Sequence, residues 1–136
     1  MSMPSTQVPP FFEDLVRDCL LHLYDPGHLH AHRLLDYVPI ERAGSAARAK
    51  VLRQALLDTI ETLRPGPAVA TLARAWRAYH ILELRYIEGH DVADVIDQVA
   101  LSKSQYHREH QRALQAVASL LWERWGLDTL APQLPA

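Results

Sequence analysis

Apolar residues along this chain recur at helical spacing, with polar residues filling the positions between them. From Phe11 to Tyr24, Phe12, Leu15, Val16, Cys19, Leu20 and Leu23 fall on one face, which predicts a first helix. Asp25-Pro26-Gly27 is expected to stop it, because proline disfavours helix at the residue before it and glycine permits a turn. His28 to Asp36 has room for a short second helix. Ser45 to Leu63 predicts a longer one, with Ser45 as cap and Leu52, Leu56, Ile60 and Leu63 as its stripe. Ala68 to Glu88 predicts another, carrying Val69, Leu72, Ala73, Trp76, Tyr79, His80 and Leu84 on one side and ending at Gly89. Asp91 can cap a short helix that runs to Ala100. The last helix is expected from Lys103 to about Trp125, with Ser102 as cap, and Gly126 closes it. Its stripe is Tyr106, His110, Ala113, Leu114, Val117, Leu121 and Trp125. No stretch alternates, so the expected class is all-α with five to six helices.

Proline and glycine mark the joints. Residues 1–10 and 127–136 read as flexible tails, 11–64 as a helical part that braces or dimerises, and 68–126 as a second unit. The Pro65-Gly66-Pro67 break reads as a joint inside one compact domain, because neither side is long on its own.

Composition narrows the function. The chain has 136 residues, 49% of them apolar, enough for a real core. No apolar run approaches the roughly 18 residues of a membrane span, and the N-terminus shows no signal-peptide pattern, so a cytoplasmic protein without membrane contact is expected. One cysteine, Cys19, allows no internal disulfide, and its place on the first stripe makes it a small buried hydrophobe. Net charge is −2, and residues 1–66 and 67–136 each carry seven basic and eight acidic side chains. Binding to nucleic acid through overall basicity is therefore excluded, while a local basic patch is not.

The informative stretch runs from Leu84 to Leu114. It is a helix stop at Gly89, a short helix with Val92, Val95, Ile96 and Val99 inward, a tight turn plugged by Leu101, and a longer helix capped by Ser102. This is the order of a helix-turn-helix, whose second helix offers its N-terminal half to the DNA major groove. Arg85-Tyr86-Ile87-Glu88-Gly89, Val92-Ala93-Asp94-Val95-Ile96, Leu101-Ser102 and Arg112-Ala113-Leu114 together resemble the DNA-binding fourth region of bacterial sigma factors and related response-regulator output domains. The resemblance implies a bacterial transcription regulator that binds double-stranded DNA. Three positions depart from the pattern: Ala100 stands where glycine is usual, and Tyr106 and His110 where small aliphatic residues are usual. A non-glycine at 100 must accept a positive φ or use a different turn. Leu23-Tyr24-Asp25-Pro26 and the tryptophan-ended last helix look like an N-terminal helical domain of some large bacterial signalling proteins, which implies a piece of a longer chain or a stand-alone copy.

The candidate DNA-contact residues are Lys103, Ser104, Gln105, His107, Arg108, Gln111 and Arg112, and residues 103–112 sum to +2. Gln105 and Arg108 would read base edges, while Lys103, Ser104 and Arg112 would hold phosphates. Asp91, Asp94 and Asp97 oppose this and predict weak, salt-sensitive binding by a monomer. Arg74, Arg77 and Arg85 either offset that acidity or are ordinary surface charges. A homodimer through the N-terminal helices or Trp122 and Trp125 would add affinity, although those tryptophans also fit the core. The alternative from another class is a protein-interaction domain that docks its helix-turn-helix on a partner. His22, His28, His30 and His32 crowd one region, but no carboxylate is tied to them in a zinc pattern, so they read as incidental loop histidines and no metal or cofactor is expected. His80 and His110 read as half-buried packing residues hydrogen-bonded to a neighbour. No phosphate loop or H-E-x-x-H motif is present, and no enzyme is expected.

Overall fold

The computed structural model describes residues 8–38, 45–68 and 74–127, and among these the chain is all-helical. The elements are α1 (Pro10–Leu21), α2 (Pro26–His30), a 3-10 turn (Arg33–Tyr37), α3 (Ser45–Thr62), a second 3-10 turn (Arg74–Trp76), α4 (Arg77–Leu82), α5 (Val92–Val99) and α6 (Lys103–Arg124). No helix among the described residues is long and apolar enough to cross a membrane.

The stripes pack as their spacing demands. Phe12, Val16, Cys19, Leu20 and Leu23 from the first segment, Leu52, Leu56 and Ile60 from α3, and Ala113, Leu114, Val117, Ala118, Leu121 and Trp122 from α6 are all buried in one cluster. Phe12 is its hub: its ring meets Trp122 edge-on at 4.9 Å, Tyr37 at 5.9 Å and Trp125 at 6.2 Å. Trp122 and Trp125 are 1% and 9% exposed, so their indoles are spent inside this chain and offer no dimer face. Cys19 is fully buried, and burial pushes its thiol well above the usual range.

Three expectations need correction. α1 ends at Leu21 rather than Tyr24, before it reaches Asp25-Pro26-Gly27, and that triplet starts α2, with Pro26 at the first helical position and the Asp25 carboxylate accepting the His28 N–H. A proline there forfeits no intrahelical bond. The tails are shorter than expected, because Val8 and Leu127 are buried in the main cluster; residues 1–7 and 128–136 lie outside the described residues. The expected helix from Ala68 is, among the described residues, a turn at 67–68 and helical only from Arg74; Val69, Leu72 and Ala73 lie outside them.

After Leu82 the helix widens into a π turn over Glu83–Ile87, where the Glu88 N–H reaches back five residues to the Glu83 carbonyl at 2.8 Å. Gly89, at φ 79°, then turns the chain toward α5.

Candidate functional site

The α5–α6 unit is built from its caps inward. Asp91 accepts the Asp94 N–H and starts α5. Ala100 ends it in the left-handed conformation, φ 55° and ψ 45°, and the Leu101 N–H reaches back to the Ile96 carbonyl. Of the two outcomes open to a non-glycine here, a positive φ or a different turn, the chain adopts the positive φ. Ser102 and Gln105 form a capping box: the Ser102 hydroxyl accepts the Gln105 N–H, and the Gln105 side-chain oxygen accepts the Ser102 N–H. Beneath the turn lies a second, small core of Ile81, Val95 and Tyr106, ringed by Leu84, Val92, Ile96, Val99 and Leu101. It fixes α5 and α6 against α4.

All seven predicted contact residues, Lys103, Ser104, Gln105, His107, Arg108, Gln111 and Arg112, are exposed on α6. Gln105 is the exception in role. Its side-chain oxygen is taken by the capping box, so it cannot make a two-point contact with adenine without giving up a cap. By helical spacing, Gln105, Glu109 and Arg112 lie on one flank, Ser104, His107 and Gln111 on the other, and Arg108 at the crest between them.

The first flank is not an ordinary solvated face. Glu109, whose side chain is only 13% exposed, holds one oxygen 3.5 Å from Arg74, 3.6 Å from Arg112 and 3.9 Å from Arg77. Together with Gln105 and Arg108 these residues line a recess of about 290 Å³. Four guanidiniums against one carboxylate leave it strongly positive. Arg85 is elsewhere: it lies over the Tyr86 ring and donates to the His90 carbonyl, so it does not join Arg74 and Arg77. Sequence reasoning missed Glu109 as the organiser. Its only linear signal is the i,i+3 pairing with Arg112, which is common on helices.

Behind α6, Tyr106 and His110 stack nearly parallel at 5.4 Å, and the Tyr86 hydroxyl lies 2.6 Å from His110 Nε2. Burial, assisted by Arg85, His107 and Arg17, pushes His110 down to about 4, so its ring is neutral at neutral pH. Burial pushes Tyr86 up to about 12, so its hydroxyl keeps its proton and donates it to Nε2. The aromatic pair therefore forms a stacked, hydrogen-bonded layer behind α6. His110 is the half-buried, bonded packing residue expected of it. Tyr106 Oη is left buried with no hydrogen-bond partner.

The histidine-rich segment is not an incidental loop. His28 Nε2 and His32 Nε2 converge on one oxygen of Asp18, at 2.6 and 2.8 Å, and His22 stacks on His28 at 3.7 Å. The hydrogen bond from His28, reinforced by that from His32 and opposed by burial, holds the Asp18 carboxyl below its usual value. Asp18, His28 and His32 are a metal-sized constellation beside an open recess of about 510 Å³. The carboxylate that the sequence did not tie to these histidines is thus present. The donor chemistry does not fit a metal, however. His32 Nδ1 accepts the Leu34 N–H at 3.0 Å, which puts the proton of the neutral ring on Nε2. A metal at Nε2 would require that proton to leave and the Leu34 bond to break. The residues as arranged are a carboxylate clamped by two N–H donors that pin α1 to α2 and to the segment just after it.

Comparisons of the chain with protein-family models, with curated proteins and with solved structures gave no match.

Proposed function

We propose that the unit from α4 to α6 binds duplex DNA, with the N-terminal half of α6 in the major groove, as a bacterial transcription regulator. The observation that carries this reading is the division of α6. Over its first ten residues only Tyr106 is fully buried, and seven polar side chains project from the body, while the turn and small core beneath fix the helix's position against α4. Preformed placement of exposed donors on a rigid element is what base reading requires.

Arg108, on the crest, is the first candidate for a base edge, with Ser104, His107 and Gln111 beside it and Lys103 and Arg112 toward the phosphates. Selection from a random duplex library at low salt tests this. An enriched motif is expected, and Arg108→Ala should cost about 1–3 kcal/mol at one base pair and relax preference there. A palindromic motif would imply a two-fold dimer.

A protein-docking role is the second reading, favoured by exposed Asp94 and Asp97 on α5. No enrichment, with binding that vanishes near physiological salt, would select it.

A further inference from the structure

The recess beside α6 has a composition that the α6 sequence alone does not reveal. Arg74 comes from the turn before α4, Arg77 from the first position of α4, and Arg112 from the third turn of α6. All three guanidiniums are drawn to one oxygen of Glu109, yet none closer than 3.5 Å. A single half-hidden carboxylate cannot satisfy three five-donor forks. It keeps them converging without saturating them. Arg74 is 67% and Arg112 56% exposed at the side chain, and both line the recess, so they remain open to a ligand from solvent.

From this geometry we infer that the recess is a seat for one backbone phosphate of the duplex, with Arg74, Arg77 and Arg112 as its donors and Glu109 as a resident counter-charge. The inference rests on the DNA-binding reading and deepens it: one strand's backbone must run along the α4 side of α6. Planar guanidiniums match phosphate oxygens in pairs. A phosphodiester entering the mouth would take over donors that Glu109 engages only loosely. The seat also supplies positive charge against Asp91, Asp94 and Asp97, outside the α6 motif.

The test uses the full chain and fluorescence anisotropy on two unrelated duplexes across a salt series. The variants are Arg74→Ala/Arg77→Ala and Glu109→Gln, each checked for unchanged helicity and melting. The double variant is expected to weaken both duplexes about equally, tenfold or more at low salt, and to lower the slope of log affinity against log salt by about one. Glu109→Gln is expected to tighten both duplexes severalfold, which a merely structural role for Glu109 would not produce. Wild-type binding that both variants leave unchanged would overturn the seat while leaving the DNA reading intact. Absence of wild-type binding at low salt would overturn that reading and the seat with it. A parallel titration with inorganic phosphate separates the sources. Saturable phosphate binding lost in the double variant, with duplex binding unaffected, would overturn the duplex as the ligand.

Discussion

The two cores of this protein are made differently. The larger joins α1, α3 and the C-terminal half of α6 through apolar stripes, with Phe12, Trp122 and Trp125 locked edge to face. The smaller, under α5 and the start of α6, has only Ile81, Val95 and Tyr106 fully buried. Around it gather the features that stability alone would not select: a π turn, a left-handed alanine, a buried hydroxyl without a partner and a neutral histidine. α6 runs through both cores. Its C-terminal half anchors the helix, and its N-terminal half can therefore remain largely exposed and polar. The contrast places stability at one end of a helix and presentation at the other.

The largest effect should come from the larger core. Trp122→Ala removes a ring that is 1% exposed and loses its contact with Phe12, and should cost about 3–5 kcal/mol in urea unfolding. A loss under 1 kcal/mol would break the comparison, because the anchor would then lie elsewhere.

The smaller core should announce itself in acid. Burial holds His110 at about 4 in the folded protein, below its ordinary 6.5. The unfolded chain therefore takes up a proton that the native ring refuses. Stability contributed by the neutral ring is complete above pH 6.5 and falls as pH drops from there toward about 4, by a total on the order of 3 kcal/mol. Asp18 acts in a lower window, since its pKa lies below 3.8 when folded; its contribution is lost only as pH falls further. Stability measured from pH 7 to 4 on wild type and His110→Gln should show the steep decline in wild type alone. The glutamine amide oxygen can still accept from Tyr86. Equal slopes would sink the assignment.

What the sequence made legible follows the same division. Periodicity finds α1, α3 and α6 because each hides a stripe under one large core, and it finds the caps at Asp91 and Ser102 because capping is local chemistry. It also poses the right question at Ala100, since a tight turn after a helix asks for a left-handed residue whatever occupies it. The exposed polar face of α6 is readable for the same reason. What stays hidden depends on distant chain segments. Asp18 meets His32 across 14 residues only because Pro26 starts a helix. Arg74 and Arg77 meet Glu109 only after α4 docks on α6. The π turn is illegible because its five-residue hydrogen bond leaves no mark in apolar spacing. Trp122 and Trp125 suit a core and an interface equally by type, and only packing decides between them.

The finest test concerns the turn itself. An alanine at φ 55° carries a steric cost of roughly 1–2 kcal/mol, and glycine removes it while adding some chain entropy to the unfolded state. Ala100→Gly should therefore stabilise by about 1 kcal/mol. Where that gain appears is the informative part. If the α5–α6 turn opens on its own while the larger core stays closed, amides of α5 and the first turns of α6 should exchange about five times more slowly in the variant, with α1 and the end of α6 unchanged. If the protein opens only as a whole, protection should rise everywhere by the same factor. Faster exchange across α5 would contradict both outcomes, because it would mean that the methyl group at 100 contributes packing which outweighs its backbone cost. The local pattern is the expected one: the turn that presents α6 has a small core beneath it, so it should be the first part of the fold to yield.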